Sequence, residues 1–140
     1  MLELVRRRRM PIVGAGGGFF SFCHVGDAAA ATLAAIERAV QGVFAIVDDE
    51  PAPVGQWLPF LARTLAAPPP RRIPVWFARW LVGEQGIVML TDARGASNAR
   101  AKRELAWTPS YPSWRLGFAE GLGGGSRAVR VTEASAPSPG

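Results

Sequence analysis

The chain has 140 residues, of which 49% are hydrophobic, and a formal net charge of +5 at pH 7. This length predicts a single domain, and the hydrophobic content is sufficient for a packed core, which excludes a chain that is disordered throughout. The single cysteine excludes an internal disulfide and a CxxC metal site, and it is typical of a reducing compartment.

The positive charge is concentrated near the start of the chain. Arg6–Arg9 supply four of the charges, which leaves about +1 for the remainder. A basic run binds nucleic acid when a second basic patch or stacking aromatic residues support it. The aromatic residues here recur at helical spacing and are predicted to lie in the core. We therefore expect no nucleic-acid partner.

The apolar stretch after Arg9 resembles the centre of a signal peptide. Pro11, a glycine-rich run, His24 and Asp27 interrupt it, so the pattern does not favour export. No apolar run approaches the roughly 18 residues that a membrane-spanning helix needs. The sequence predicts a cytoplasmic protein without a membrane partner.

The first elements are predicted to be short. Residues 2–9 have room for one or two helical turns, and Pro11–Val13 is a short extended piece. Gly14–Gly18 is predicted to be a flexible turn, and Phe19–Val25 is predicted to be a strand.

A longer helix is predicted from Asp27, whose side chain is a good N-cap. One apolar face repeats along it at helical spacing, formed by Ala29, Leu33, Ile36 and Val40. Gly42 follows the last of these residues, where a left-handed glycine commonly ends a helix.

The run Val43–Val47 is rich in β-branched and aromatic residues and predicts a buried strand. It stops at Asp48–Glu50, and a second helix is predicted to begin near Pro53. The apolar stripe of this helix consists of Val54, Trp57, Leu58, Leu61 and Leu65. Pro59 lies inside the helix and removes one backbone donor, which predicts a kink or a late start.

The remaining elements follow a proline-rich linker at Pro68–Pro70. Val75–Val82 predicts a short helix and Ile87–Leu90 a strand. Asn98–Trp107 and Ser113–Leu122 predict two more short helices. This alternation predicts a small α/β domain in which short strands alternate with helices.

The domain is predicted to cover residues 1–122. Residues 123–140 are dominated by Gly, Ser, Pro and Ala and predict a disordered tail.

The run Gly14–Gly18 imitates the start of a dinucleotide-binding fingerprint. That fingerprint requires a helix to begin at its third glycine, with its N-terminus facing the pyrophosphate. A strand-like segment beginning at Phe19 follows instead, and the acidic residue expected about 20 residues on is Glu37, inside a predicted helix. The turn either lines a substrate pocket or is only a tight turn.

The residues for a Tyr-x-x-x-Lys catalytic pair are absent. In such a pair the lysine lowers the pKa of the tyrosine, which then acts as an acid or base near neutral pH. The single tyrosine, Tyr111, is followed four residues later by Arg115, and it lies in a proline-rich turn. The single lysine is Lys102.

His24 is the only histidine, with Ser21 and Asp27 each three residues away. In a strand Ser21 and His24 point to opposite faces, which argues against a hydrolytic triad. A metal site would need further clustered ligands. We predict a structural histidine that hydrogen-bonds a neighbouring loop.

Two polar clusters remain. Asp48–Glu50 suggests a divalent ion, but acidic residues between a strand and a helix are more often caps, so no metal site is predicted. Arg94–Asn98 places a cation and small polar residues before a helix, and an anion-binding role and a capping role stay equally open.

These motifs together resemble the C-terminal part of an NAD-dependent epimerase/dehydratase of the extended short-chain dehydrogenase/reductase family. The resemblance runs from about Leu4 to Leu122. The matching motifs are Arg6–Arg9, Pro11–Gly16, Phe22–Asp27, Glu104–Pro109 and Ser113–Leu122. It implies a small substrate-binding subdomain without a complete Rossmann sheet.

Three residues depart from the family pattern. Gly26 stands where the family usually has a second acidic residue, and Ala106 replaces the glycine that ends a helix. A non-glycine residue in the left-handed region costs about 1 kcal/mol. Phe20 stands where nucleotide-sugar enzymes of the family often carry an arginine for the diphosphate, which implies a less charged substrate.

The resemblance implies a substrate-binding fragment of an NAD(P)-dependent oxidoreductase that is not catalytically competent alone. Its implied substrate is a small molecule other than a nucleotide sugar. The implied substrate-binding residues are Arg9, Pro11, Gly16, Phe20, His24 and Arg94. No catalytic, cofactor-binding or metal residue is assigned, and NAD(P) is implied for the complete family enzyme only.

The alternative is a stand-alone binding or interaction module of the same descent. In both cases the nucleotide-binding half has no counterpart in these residues, as expected for a truncated or split reading frame. Apolar surface that faces that half in the family would then be exposed. We therefore expect self-association or a separate nucleotide-binding chain as partner.

Overall fold

The structure is a computed structural model that describes residues 1–123. Its helices are α1 Leu2–Arg6, α2 Val25–Glu37, α3 Val54–Thr64, α4 Val75–Thr91, α5 Ala99–Leu105 and α6 Trp114–Gly123. Its strands are β1 Ile12–Val13, β2 Phe19–Phe20, β3 Ala52–Pro53 and β4 Arg72–Ile73. Among these helices none is both long and apolar enough to cross a bilayer.

The strands form two separate pairs. β1 lies parallel to β4, with Ile12 opposite Arg72, and β2 lies antiparallel to β3, with Phe20 opposite Ala52. The strand predicted over Phe19–Val25 is therefore confined to its first two residues. The predicted fold class, a small α/β unit without a complete Rossmann sheet, is confirmed.

The main core lies between α3 and α6. Trp57, Leu58 and Leu61 are almost completely buried, and Trp114 packs beside them. The predicted apolar stripe of α3 is thus confirmed, and α3 continues through Pro59. Pro59 has no backbone N–H, so the helical hydrogen bond to the carbonyl of residue 55 is missing. The helix tolerates this loss because burial of its apolar stripe stabilises it.

The second core lies between α2 and α5, and it contradicts the predicted apolar face of α2. Ala31 is buried against Ala101 and Leu105. Leu33 and Ile36 are instead 56% and 71% exposed. The small alanine face packs close to α5, whereas Leu33 and Ile36 point to solvent. Val40, which lies beyond the end of α2, packs against the second core.

Both predicted ends of α2 were also wrong. The N-cap is His24 rather than Asp27, and the helix ends at Glu37. Ala39, with φ 49°, takes the left-handed position that was assigned to Gly42. Asp27 does not cap the helix because its carboxylate accepts hydrogen bonds from a distant loop instead. No local sequence pattern predicts this tertiary contact.

The segment Val43–Val47, which we name the unpaired segment, was predicted to be a strand. It forms no ladder within residues 1–123. Phe44 and Ile46 pack against the second core, but Val43 is 88% exposed. A strand needs a neighbour to hydrogen-bond, and the described chain supplies none here.

Helix α4 covers two predicted elements. Val75–Val82 is helical as predicted, whereas the strand predicted at Ile87–Leu90 is wrong because these residues continue the helix. Gly83, at φ 72° and ψ 178°, breaks the helix between the two parts. A short apolar run is compatible with either structure, so periodicity alone could not decide.

The tryptophans of α4 were predicted to lie in the core, and this was also wrong. Trp76 and Trp80 are 74% and 87% exposed. The other tryptophans, at positions 57, 107 and 114, are buried as predicted.

The last helices agree with prediction. Asn98–Trp107 contains α5 and Ser113–Leu122 contains most of α6. Gly123 is the last residue of α6. The predicted tail from residue 124 onward lies outside the described residues.

Ala106 holds the left-handed conformation that ends α5, with φ 46° and ψ 38°. Because glycine adopts this region without the steric cost of a Cβ, Ala106→Gly should raise the free energy of unfolding by about 1 kcal/mol. Urea denaturation followed by circular dichroism measures this change. Ala30→Gly, in the exposed interior of α2, is the matched control and should lower stability by about 0.5–1 kcal/mol. Destabilisation by both substitutions would contradict the strain assigned to Ala106.

Candidate functional site

A pocket of about 90 Å³ lies between the segment 22–24 and α6. Its polar lining consists of Cys23, His24, Asp48, Tyr111 and Ser113. Its apolar lining consists of Phe22, Trp114, Gly117 and Phe118. Aromatic walls with a few convergent polar groups are typical of small-molecule sites.

His24 joins the pocket to the start of α2. The Gly26 backbone N–H donates to its Nδ1 at 3.1 Å, so His24 is the N-cap of the helix. The other ring nitrogen, Nε2, therefore carries the proton of the neutral imidazole. The predicted side-chain hydrogen bond to a neighbouring loop is not found within residues 1–123. The imidazole instead stacks on the Tyr111 ring, with 3.9 Å between the ring centroids.

Asp27 and Ser21 do not form a triad with His24. The Asp27 carboxylate is buried and accepts from the backbone N–H groups of Ser110 and Tyr111, at 2.7 and 3.0 Å. This pair of hydrogen bonds holds the turn that places Tyr111 over His24. Ser21 bonds elsewhere, accepting from the Ala96 N–H at 2.9 Å.

Asp48 is the most unusual polar group of the pocket. Its backbone N–H donates to the Phe22 carbonyl at 2.7 Å, which draws the side chain inward. Oδ1 receives only a long bond of 3.4 Å from the Phe22 N–H, and Oδ2 is buried without a partner. Burial raises the pKa of the Asp48 carboxyl to about 6. The group is therefore an acid or base that can change charge near neutral pH.

The next two acidic residues bind to other helices, so the prediction that they cap α3 was wrong. The Asp49 carboxylate accepts from Asn98 at 2.6 Å and pairs with Lys102 at 2.6 Å, and the Lys102 hydrogen bond lowers its pKa. Glu50 accepts from Ser113 and pairs with Arg115. Within residues 1–123 no group of three or more metal-type ligands is clustered.

The ionisable groups beside His24 do not match a hydride-transfer site. The Glu120 carboxylate raises the pKa of Tyr111, whereas an acid or base tyrosine of the Tyr-x-x-x-Lys type needs a lowered pKa. Burial, aided by nearby Asp27 and Asp48, raises the pKa of the Cys23 thiol. Cys23 is exposed, but the raised pKa keeps its side chain in the less reactive thiol form.

Of the six residues implied for substrate binding, only His24 lines this pocket. Phe20 packs edge-on against Trp57 at 5.6 Å, while Arg94 is exposed on a loop beside β2. That loop is joined to β2 by the bond from the Phe19 N–H to the Ala93 carbonyl at 2.7 Å. Phe20 and Arg94 therefore lie on adjacent segments.

The other three residues lie on the N-terminal side of β2. Gly16 is buried with φ +71°, and a Cβ there would meet the Gly55 backbone nitrogen at 2.8 Å. Its carbonyl accepts from that same nitrogen, which gives Gly16 a structural role. Arg9 follows α1 and is exposed, and Pro11 precedes β1. A substrate contact of these residues stays a prediction.

The glycine turn does not fit a dinucleotide. The N–H groups of Gly14, Gly16 and Phe19 already donate to backbone carbonyls, at 2.7–2.9 Å. Strand β2, not a helix, follows the turn, so no helix N-terminus faces a phosphate there.

No family model matches the chain. A Streptomyces protein named 3-diazoavenalumate denitrifying reductase is 49% identical over 110 residues, which cover 79% of this chain and 36% of that protein. Two solved structures are also similar. A conserved protein of unknown function from Silicibacter pomeroyi DSS is 27% identical, with a TM-score of 0.66 over 81% of this chain and 39% of its own.

The second structure is the human epimerase family protein SDR39U1, solved with NADPH. It superposes with a TM-score of 0.68 over 88% of this chain and 41% of its own, at 23% identity. The predicted resemblance is thus supported at the level of the fold, which the chain shares with part of an epimerase family protein.

The chain thus spans well under half the length of the relatives it matches. One relative is named a reductase, one is an epimerase family protein solved with NADPH, and the third is of unknown function. Sequence reasoning missed Asp48 and Tyr111 as pocket residues. A carboxylate directly after an apolar run is the one signal that pointed to Asp48.

Asp48→Asn tests the buried carboxyl. The pKa of about 6 in the folded state lies above the ordinary aspartate value of 3.8, so the charged form is disfavoured in the folded state. Below about pH 4 the carboxyl is protonated in both the folded and the unfolded state, so burial of the charge costs no stability. This loss of stability grows as the pH rises through 6. Asp48→Asn should therefore match the parent at pH 4 and exceed its stability by about 1–3 kcal/mol at pH 8. Urea denaturation across this range measures the difference.

Asp49→Asn is the matched control. The pKa of Asp49 is lowered, so this substitution should destabilise the protein at pH 7, and its effect should shrink as the pH falls. Parallel pH profiles for the two substitutions would refute the assignment of opposite environments.

Proposed function

We propose that the chain is the substrate-binding part of an NAD(P)-dependent epimerase- or reductase-like oxidoreductase and transfers no hydride alone. The observation that carries this proposal is the His24–Asp48–Tyr111 pocket in a chain half identical to a reductase. The pocket supplies aromatic surface and one titratable acid. It lacks a tyrosine of lowered pKa, which hydride transfer in this family requires.

The pocket chemistry favours a small, largely apolar substrate. Its walls are mainly aromatic, and no lysine or arginine is among the residues that line it. A nucleotide diphosphate would meet the carboxylate of Asp48 without a compensating cation, which is unfavourable. A ligand with a hydrogen-bond donor would instead satisfy the unpaired Oδ2.

The NAD(P) cofactor would be held by a part of the complete enzyme that has no counterpart in this chain. The glycine turn supports this division, since strand β2 and not a helix N-terminus follows it. The role of this chain is then to bind and orient the substrate and to exclude water from it.

A chimera tests this role. The segment of the Streptomyces reductase that aligns with this chain is replaced by this chain, and NADPH oxidation is measured with 3-diazoavenalumate. We expect NADPH-dependent reduction by the chimera and none by the 140-residue chain alone. An inactive but folded chimera, or activity of the chain alone, would contradict the proposal.

The substitution His24→Asn tests whether the substrate of the chimera binds in the pocket that His24 lines. Asparagine keeps the N-cap but removes the ring that stacks on Tyr111, so fold and function are separated. We expect KM to rise about 3–10-fold, the range of a lost aromatic contact, with kcat little changed. Trp80→Ala, on the exposed face of α4, is the matched control and should leave KM unchanged. An unchanged KM for His24→Asn would place the substrate elsewhere.

A stand-alone binding module is the second candidate function. It is supported by a pocket that forms within residues 22–118, without any second chain. Under this alternative the 140-residue chain binds its ligand alone, and titration with 3-diazoavenalumate by intrinsic fluorescence distinguishes the two.

A further inference from the structure

The pocket that Asp48 lines has the composition of a site for an organic cation. Aromatic rings attract cations because the faces of the rings carry partial negative charge, and cages of such rings bind organic ammonium groups. No lysine or arginine lines this pocket, so no positive side chain competes for the rings from inside it. The aromatic residues that line it are Phe22, Tyr111, Trp114 and Phe118.

The rings around the pocket are held in place by one another. The Phe118 ring lies 5.1 Å from the Phe22 ring and 5.8 Å from the Trp114 ring, in both cases edge to face. The Tyr111 ring stacks on His24 at the other side of the pocket. Because these contacts exist without a ligand, the aromatic surface is pre-organised, which reduces the entropy that binding costs.

Asp48 supplies the negative group that such a cage needs. Its side chain lines the pocket although the residue is only 5% exposed. Oδ2 has no hydrogen-bond partner, and Oδ1 has only the long bond from the Phe22 N–H. Burial of a carboxylate with so few donors is unfavourable. The N–H group of an ammonium ion would provide both a donor and the opposite charge.

The charged groups around the pocket also favour a cation. The Glu120 carboxylate of α6 hydrogen-bonds Tyr111 and raises its pKa. Asp27, which accepts from the Tyr111 N–H, contributes a second negative charge. Arg115 does not line the pocket, and its charge is paired with that of Glu50. The surroundings of Asp48 therefore add negative potential to the pocket.

We propose that the pocket binds an organic ammonium ion, whose nitrogen donates to Asp48 while its hydrocarbon part contacts the rings of Phe22 and Phe118. This inference deepens the proposed function and rests on it for the identification of this pocket as the substrate site. A neutral ligand would make the same aromatic contacts, but it would leave the Asp48 carboxylate without an opposite charge.

A pair of ligands of similar shape tests the requirement for charge. Benzylammonium and benzyl alcohol both carry an aromatic ring and a hydrogen-bond donor, but only the first is a cation. Calorimetric titration of the 140-residue chain at pH 8 should give an affinity for benzylammonium at least about 10-fold higher than for benzyl alcohol. Equal affinities for the two ligands, or no binding of benzylammonium, would overturn the proposal.

The substitution Asp48→Asn tests the carboxylate. It should lower the affinity for benzylammonium by about 10–100-fold, the range of a charge-assisted hydrogen bond. The affinity for benzyl alcohol should change by less than about 3-fold, because the amide keeps an acceptor oxygen. Because this substitution is expected to stabilise the fold at pH 8, a loss of binding is not a loss of folding.

Glu84→Gln is the matched control for Asp48→Asn. It removes the same charge from an exposed position of α4 outside the pocket, so both affinities should stay unchanged. Tight binding of benzylammonium by the Asp48→Asn variant would overturn the proposal.

The pH dependence of binding provides a second readout. The pKa of Asp48 is about 6, so the affinity for benzylammonium should fall by about 10-fold between pH 8 and pH 5, as the carboxylate is protonated. Asp49 stays charged over this range because its pKa is lowered. Histidine side chains also gain charge in this range, and the Asp48→Asn variant keeps His24. An equal pH dependence in the parent and this variant would overturn the role of Asp48.

The outcomes separate this proposal from the proposed function. Binding of benzylammonium that depends on Asp48, together with a folded but inactive chimera, supports the ammonium site and refutes the function. An active chimera, together with a 140-residue chain that does not prefer benzylammonium, refutes the ammonium site alone.

Discussion

The structure depends on the position of Phe22. Its ring lies edge-on against Trp57 at 5.4 Å and against Phe118 at 5.1 Å, so it connects α3 with α6. Its backbone carbonyl accepts from the Asp48 N–H, which binds the loop after the unpaired segment to the same point. Aromatic contacts of this geometry contribute about 0.5–1.5 kcal/mol each beyond their burial. The main core and the pocket therefore share one anchor.

The pocket lies beside three consecutive acidic residues whose side chains contact three different parts of the chain. Asp48 turns inward against Phe22, Asp49 binds α5 through Lys102, and Glu50 binds α6 through Arg115. Two of these carboxylates are neutralised by cations near the surface. The third carboxyl group, that of Asp48, is buried and one of its oxygens has no hydrogen-bond partner. Its raised pKa therefore belongs to a group that lines the pocket, where a ligand can contact it.

The unpaired segment and α2 both expose apolar side chains, and the two exposures have the same physical cause. The unpaired segment has the composition of a buried strand, and α2 has the composition of a helix that is buried on two sides. Each has only one neighbouring layer among the described residues.

The sequence by itself determined the elements whose stability is local. The stripe of α3, the positions of α5 and α6, the family resemblance and the left-handed Ala106 could all be predicted, because helical periodicity and end residues act over a few positions. Tertiary structure alone decided which face of α2 is buried, that His24 rather than Asp27 caps it, and that Asp48 points into a pocket. These outcomes depend on residues between 26 and 84 positions apart, such as the Asp27 bond to Tyr111, and no local pattern encodes such a pairing.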